Sequence, residues 1–514
     1  MAGHALWSHD GTYPPRQGNE VDILIDGQAA YKDISDAFHS AKEFIFLTVS
    51  YCDDDFLLVP ESGETIFDIL RSRRSSGVDV RMVVWEPALT TSDTIPDKTP
   101  IPGVNDGQAC IQGRWDKANG YSGWYRSPHG IFEPFYVDFP AILGCHHQKT
   151  YMMDDGDGGV VAFVGGINPV QSYWDTSGHN VLDVRRVEKK KEKDMLKTLE
   201  ATPPLHDIFY RIKGPVVRDV IANFVERYNG ASIPYKEITS DAAIPAGADH
   251  IPPLPDGIEV QVVRTIAPKT YPMLQDGERG IRELYLNMLA SAEDGNLVYI
   301  ENQYFFDHGI VSEIHEAAER GAKIIVILTS QPDEDSTLIQ QVVEKVLEKI
   351  SCYENIFPLV KGHENVALLT LGNSRADPRD AGKVINSETY VHSKNMAVIG
   401  NEWAIMTGGS ANIAFTSMWF HSEMNIAFTD NTRIKNWVAQ LWKEHLGDTI
   451  SIDKVRELIE NPGEALNYFK EQATRNKTAL EDGQRPEGRV YEMGTVFPPR
   501  KLDGIVPGDV LVEG

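Results

Sequence analysis

One short pattern occurs twice in this chain, about half a chain apart. The first copy is His147-Gln148-Lys149, followed by Asp154 and then Gly165-Gly166-Ile167-Asn168. The second is His392-Ser393-Lys394, followed by Gly409-Ser410-Ala411-Asn412. Each holds a histidine, a lysine two positions on, and an asparagine roughly 20 residues later behind a glycine turn. Side chains at i and i+2 of a strand share a face, so each histidine and its lysine address the same space. A lone His-x-Lys is ordinary surface sequence. Two copies with the same downstream glycine and asparagine restrict the chain to a duplicated architecture with two half-sites.

The surroundings repeat as well. Apolar periodicity predicts a strand over 21–25, an amphipathic helix over 29–41, a buried strand over 44–49, a helix over 65–74 and a strand over 78–85. The second half answers with a strand over 260–263, a helix near 281–291, a strand over 297–300, a helix over 310–320 and a strand over 322–329. Offsets between equivalent pieces are about 238–253 residues. Alternating helices and strands place the chain in the α/β class, with two units of mixed sheet. The expected division is a first unit over 1–230, a linker over 231–257 and a second unit over 258–514 that ends in a helical tail. The linker is marked by Pro234, Pro245, Pro252, Pro253 and Pro255.

Composition excludes some classes. No run approaches the ~20 apolar residues of a membrane span. Residues 1–16 are polar, contain Pro14-Pro15 and lack the plan of a secretory signal. The expected location is cytoplasmic, or outside the cell by a route that cleaves no signal. Cys52, Cys110, Cys145 and Cys352 are widely spaced without Cys-x-x-Cys, which argues for reduced thiols and against a zinc site. A formal charge of −26 makes nucleic acid an unfavourable partner. The basic run of Arg185, Arg186, Lys189, Lys190 and Lys191 is interrupted by Glu188 and reads as a solvated helix face.

Two histidines, two lysines and two asparagines suit one kind of chemistry. A phosphodiester is a monoanion and repels anionic nucleophiles, whereas imidazole, with an unperturbed pKa of ~6.5, is neutral and can attack phosphorus. Lysines offset charge on the non-bridging oxygens, and asparagine amides donate hydrogen bonds to them. The second histidine, protonated, can donate to the leaving oxygen and later take a proton from the incoming hydroxyl. No metal-ligand spacing is visible, so the expectation is a reaction that needs no metal or other cofactor.

At these residues the chain resembles the phospholipase D superfamily, with its duplicated His-x-Lys-x4-Asp motif. The resemblance extends to Leu205-His206-Asp207-Ile208 running into Arg211-Ile212-Lys213-Gly214-Pro215, to Ile300-Glu301-Asn302-Gln303-Tyr304-Phe305, and to Leu441-Trp442-Lys443-Glu444-His445-Leu446-Gly447. These longer blocks look like the eukaryotic-type phospholipases. The resemblance implies two α/β units about a pseudo-twofold, with both motifs in one cleft. It implies a nucleophile at His147, a general acid and then base at His392, and phosphate contacts from Lys149, Lys394, Asn168 and Asn412. It also implies that Asp207 orients His147 and that Glu423 orients His392. Asp154, Gly165, Gly166, Gly409 and Ser410 are the structural positions of the motifs.

One position departs from the pattern: Ile399 stands where the second motif has its aspartate. Gly400 and Asn401 are able to form the turn without it, so the loss reads as tolerated. The expected activity is hydrolysis of a glycerophospholipid headgroup diester, that of phosphatidylcholine or phosphatidylethanolamine, through a phosphohistidine, with transfer to alcohols as well as water. The expected partner is a phospholipid at a membrane or micelle surface, and a monomer is favoured. A non-lipid phosphodiesterase such as a nuclease, and a lipid-binding pseudoenzyme, remain alternatives. Residues 110–140 hold eight aromatics among Gly and Pro and read as a long loop. Its Trp124 and Tyr125, together with Trp174 and Asp175, are candidates for headgroup or acyl-chain contact; a small satellite core is an equal reading of the loop.

Overall fold

A computed structural model describes residues 6–50, 52–53, 55–86, 112–117, 145–187, 194–230, 241–268, 270–271, 274, 276–330, 357–502 and 505. The first half contributes strands β1 (Arg16–Ile25), β2 (Phe44–Val49), β3 (Asp79–Glu86), β4 (Gln112–Lys117), β5 (Lys149–Asp154), β6 (Val160–Gly165), β7 (Leu205–His206) and β8 (Ile208–Lys213). The second half contributes β9 (Ile258–Ile266), β10 (Glu278–Arg279), β11 (Leu297–Asn302), β12 (Lys323–Leu328), β13 (Val366–Asp377) and β14 (Asp380–Val391). It continues with β15 (Lys394–Ile399), β16 (Ala404–Gly409), β17 (Glu423–Thr429) and β18 (Val490–Glu492).

Hydrogen bonding orders the first sheet β1-β8-β6-β5-β2-β3-β4, antiparallel as far as β2 and parallel beyond it. The second sheet runs β9-β17-β16-β15-β11-β12-β13 with the same succession of antiparallel and parallel pairs. The duplication is therefore structural as well as sequential. Strands β14 and β18 extend the second sheet at β13, and β10 extends it at β9.

Local sequence explains the elements. Helix Asp26–Ser40 buries Ala30, Tyr31, Ile34 and Phe38, one stripe at helical spacing. Helix Ile66–Ser75 starts at a capping box in which Thr65 and Asp68 satisfy each other's backbone. Strands β2, β5 and β15 are buried along their whole lengths, as expected for strands covered on both faces. Separate apolar clusters line the outer helices of each sheet, and a third runs through both units, joining Phe46, Val83 and Tyr210 to Ile327, Met406 and Trp442. At ~1.5–3 kcal/mol for each large apolar side chain buried, that shared cluster binds the units firmly.

Direct strand contacts join the halves too. Strand β1 pairs with β9 at Arg16↔Val260 and Asn19↔Ile258. Strand β7 lies beside the end of β14 at Tyr390↔Leu205 and Val391↔His206, and its pseudo-symmetric twin is the bridge His146↔Ser422. The second part of the Pro-rich stretch is packed rather than loose: it holds helix Ala246–Asp249, and the Leu254 N–H donates to the Gly18 carbonyl at 2.8 Å. Residues 231–240 lie outside the described residues.

One expectation is corrected here and another is not reached. Trp115 belongs to the edge strand β4, paired in parallel with β3, and not to a loop. Trp124 and Tyr125 lie outside the described residues.

Candidate active site

Each His-x-Lys motif enters its sheet through the two residues before a central strand. His147 leads into β5 and His392 into β15, and the flanking backbone comes from the opposite unit. The His147 N–H donates to the Ser422 carbonyl at 2.9 Å, and the His392 N–H to the His206 carbonyl at 2.8 Å. Segments 145–147 and 422, and likewise 206 and 392–393, thus form small two-chain ladders across the pseudo-twofold.

The side chains cross in the same way. His147 Nδ1 lies 3.0 Å from Glu423 Oε2, and His392 Nδ1 lies 2.5 Å from Asp207 Oδ2. This corrects the expected pairing, in which Asp207 served His147 and Glu423 served His392. The physical reason is the ladders just described. Asp207 follows His206 and Glu423 follows Ser422, so each carboxylate is delivered to the histidine of the other unit. Neither half supplies the carboxylate for its own motif histidine.

Lys149 and Lys394 are almost wholly buried. Lys149 Nζ donates to the His147 carbonyl at 2.7 Å; Lys394 Nζ donates to the His392 carbonyl and to Gln303 Oε1 at 3.2 Å. Burial pushes the Lys149 ammonium down to about 7, with Glu423 opposing the shift and Lys394 adding to it. The crossed pairs bring both motifs together, with Glu423, Lys394 and Asp207 all close enough to act on Lys149. Asn168 Oδ1 accepts from the Ser50 N–H at 3.2 Å, and its carbonyl accepts from Tyr31 Oη at 2.7 Å. The amide's NH2 end, the end able to donate to a phosphate oxygen, therefore points away from that anchor. Asn412 is buried at 5% exposure, and the chain after it is held by the Ile413 N–H donating to Asn302 Oδ1 at 2.9 Å.

Burial sets the charge states. It depresses His147 to about 4, against the pull of Glu423. His392 falls well below its ordinary value through burial and through Lys394, Lys149 and His147. Burial pushes Asp207 up to about 7 despite Lys394, while His147 and His421 hold Glu423 far below the usual carboxylate range against burial. These shifts favour neutral imidazoles and an ionised Glu423 near neutral pH, with Asp207 titrating in the same range.

The motif glycines and Asp154 are structural. A Cβ on Gly165 would lie 2.5 Å from the Phe209 ring, and one on Gly409 would lie 2.2 Å from the Met424 carbonyl oxygen. Asp154 accepts from the N–H groups of Lys42, Glu43, Phe44 and Gly156 at 2.8–3.2 Å, closing its own turn and pinning the start of β2. Ile399 is instead 2% exposed in the apolar core, and its turn is closed by the Gly400 N–H on the Trp403 carbonyl at 2.8 Å.

Trp174 and Asp175 do not face the pocket, a further correction. Trp174 is 1% exposed, with Nε1 donating to the Leu58 carbonyl and Arg185 stacked over its ring at 4.8 Å. Asp175 is fully buried between Arg186 at 3.0 Å and His179 at 3.1 Å. The neighbouring Tyr173 is the aromatic at the site, its ring centroid 5.1 Å from that of His392; Tyr390 flanks the same ring at 6.1 Å.

Sequence reasoning also missed a buried ionic cluster behind Asp207. His206 sits between Asp26 (3.0 Å) and Glu444 (3.1 Å) on one nitrogen and Glu301 (3.2 Å) on the other. His179 sits between Asp175 and Glu444 at 3.1 Å each, and His445 reaches Glu301 at 2.7 Å. These carboxylates raise His206 well above its ordinary value and His179 to about 9, against burial. Asp26, His179, His206 and Glu444 lie within ligand distance of one another, as do His206, Glu301 and His445, and His315, Glu319 and His363. With His206 and His179 raised and each facing carboxylates on both ring nitrogens, the first group is an ion cluster. In the third, the His363 Nδ1 accepts the Asn365 N–H, which leaves its proton on the Nε2 that faces Glu319. Among the described residues no helix is long and apolar enough to cross a membrane.

Comparison with known proteins covers most of the chain. The family model "Phospholipase D" matches residues 37–357, and "Cardiolipin synthase, PLD-like domain" matches 285–445. The chain is 24% identical to phospholipase D alpha 1 of Vigna unguiculata over 86% of its own length and 67% of the plant protein. It is 26% identical to phospholipase D alpha 3 of Arabidopsis thaliana, covering 82% of this chain and 64% of that one. Phospholipase D A of Dictyostelium discoideum is 23% identical over 85% of this chain, which spans only 36% of that protein. Among solved structures, phosphatidylserine synthase of Haemophilus influenzae aligns with a TM-score of 0.48 at 13% identity, covering 90% of this chain and 95% of that one.

Proposed function

The chain belongs to the phospholipase D superfamily, and from that premise we propose that it cleaves the headgroup phosphodiester of a glycerophospholipid through a phosphohistidine. The observation that carries this reading is the pair of crossed histidine–carboxylate couples around two buried lysines. In the first step the lone pair of His147 Nε2 attacks phosphorus. The P–O bond to the headgroup breaks, its electron pair leaves with the headgroup oxygen, and that oxygen takes the proton held by His392 and Asp207. Glu423 accepts the His147 Nδ1–H and offsets the positive charge that grows on the ring.

In the second step water or an alcohol gives its proton to His392 as its oxygen bonds to phosphorus. The P–N bond then breaks and its electron pair returns to Nε2. Lys149, Lys394, Asn168 and Asn412 bind the non-bridging oxygens throughout. The bound diester's negative charge favours the protonated forms of Lys149 and His392, which burial disfavours. Because lysines supply the charge that divalent ions supply elsewhere, turnover is expected to survive prolonged chelation with EDTA; loss of activity that zinc or calcium restores would refute a metal-free site.

The reading of a lipid substrate is supported by the names of the relatives and by the length of the match. The test is a panel of phosphatidylcholine, phosphatidylethanolamine and phosphatidylserine in mixed micelles, with headgroup release measured beside cleavage of single-stranded DNA. Headgroup release with phosphatidate is the expected result. Cleavage of DNA alone would move the chain to the nuclease branch, and lipid binding without product would make it a pseudoenzyme.

A further inference from the structure

We propose that Ser410 and Ser417 are positioning residues that give two chemically identical histidines their different tasks, by holding Glu423 as the charged partner of the attacking His147. The proposal rests on the two-histidine reading above and adds what breaks its symmetry.

Sheet register makes the comparison exact in position. Gly165 pairs with Phe209, and Gly409 pairs with Asn425. Asp207 and Glu423 therefore occupy corresponding places, and so do Gly166 and Ser410. Duplication alone would give both carboxylates the same surroundings. Instead the Ser410 hydroxyl donates to Glu423 Oε2 at 2.6 Å, and the Ser417 hydroxyl donates to Oε1 at 2.7 Å. Opposite Asp207 stands Gly166, where even a Cβ would fall 2.6 Å from Oδ2. The partners of Asp207 are the Ile208 N–H at 2.7 Å and His392 at 2.5 Å; among the described residues no hydroxyl reaches it.

His147 and His421 lower Glu423 against burial, and the two hydroxyls act on the same carboxylate in addition. Glu423 faces His147, His421 and Lys149, with the Cys145 thiol and Tyr285 beyond. Asp207 faces His392, Lys394, Lys149 and the His206 imidazolium, with Tyr31 and Tyr210 beyond. Positive groups are at least as numerous around Asp207. What Glu423 has in addition is two O–H donors, which favour the ionised carboxylate. Glu423 is held low with His147 as the largest lowering influence, while burial pushes Asp207, which lacks such hydroxyls, up to about 7.

That asymmetry divides the labour. An ionised carboxylate on Nδ1–H leaves the lone pair on His147 Nε2 and is stabilising as the ring gains charge on forming the P–N bond. A carboxyl that keeps its proton beside His392 passes it to Nδ1 as the ring's Nε2–H goes to the departing oxygen. Both histidines could attack; the serines determine which one does.

The test compares wild type with Ser410→Ala, Ser417→Ala and the double variant. Bis(p-nitrophenyl) phosphate, which requires no lipid surface, serves beside phosphatidylcholine. Initial rates are measured across pH, and the quenched phosphoenzyme is mapped by mass spectrometry. Expected are an adduct on His147 in wild type, an acid limb of kcat about one pH unit higher in the double variant, and an adduct shared with His392. Ser417→Ala alone removes one buried oxygen, shifts the limb in the same direction and covers the case in which the double variant unfolds. Variants that keep both the wild-type limb and a His147-only adduct overturn the proposal. If wild type cleaves the aryl diester with no adduct on either histidine, the covalent reading fails separately, and the acid limb alone decides the role of the serines. Cleavage of the aryl diester without phosphatidylcholine hydrolysis would refute the lipid substrate and leave the serine test intact.

Discussion

His147 takes its carboxylate from the second unit and His392 takes its own from the first, so mutating either carboxylate should damage the chemistry of the other half's histidine. With a p-nitrophenolate leaving group the first step needs no acid. Asp207→Asn should then still show a rapid p-nitrophenol burst and accumulate phosphoenzyme, because only the later proton removal by His392 suffers. Glu423→Gln should lose the burst itself, on the order of 10²–10⁴-fold. Rapid-quench kinetics separate the two; the reverse ranking would restore the uncrossed pairing. At this scale the identities of the groups were legible from sequence, since histidine, lysine, asparagine and both carboxylates follow one another in the same order in each half. Which histidine each carboxylate serves was not legible, because the answer lies in the ladder that passes from 206 to 392 and from 422 to 147. Nor does a Trp-Asp pair announce its direction. Trp174 and Asp175 look like ligand contacts by type, but their partners Leu58, Arg186 and His179 are assembled only in the folded chain.

Among elements, the strand pair β5–β6 and its counterpart β15–β16 show how one motif position can diverge. Asp154 satisfies four backbone N–H groups and Ile399 fills the core, so the two are not interchangeable. Asp154→Ala should cost about 2–3 kcal/mol by stranding donors at the start of β2. Ile399→Asp should cost roughly 3 kcal/mol or more by burying an unpaired carboxyl among apolar side chains. Urea denaturation measures both, and turnover per folded molecule should change less than about tenfold in Ile399→Asp. A neutral or stabilising Ile399→Asp would mean that the second turn still has donors waiting for an aspartate. The repeated helices and strands were legible because their burial is periodic. The long hairpin of β13 and β14 was not: its exposed polar residues and Gly372 give no continuous apolar signal, and its pairing spans the sheet edge. The correspondence of β8 with β17 was hidden by the different lengths of chain between β6 and β8 and between β16 and β17.

At the scale of the whole molecule, the site exists only where the two units meet. Behind it, Asp26, Asp175, His179, Arg186 and His206 of the first unit face Glu301, Glu444 and His445 of the second, all buried except the partly exposed Glu444. His179 titrates at about 9 and His206 also above its ordinary value, higher than the ~6.5 of an unfolded chain. A raised folded pKa stabilises fully below ~6.5 and loses its contribution as pH rises through the folded value. The melting temperature should therefore fall between pH 7 and pH 10, and His179→Gln should flatten that fall while lowering stability at pH 7. A wild-type melting temperature that stays level over this range would mean the histidines are neutral in the fold. The central claim is sharper still: one composite site forms a covalent bond between His147 and the phosphatidyl group before the acceptor arrives. The most direct measurement is digestion of phosphatidylcholine in graded molar ethanol, with the lipid products resolved. The account predicts that phosphatidylethanol appears beside phosphatidate and rises with ethanol while choline release stays nearly constant. Brisk choline release with phosphatidate as the sole lipid product, across a range of primary alcohols, would contradict it.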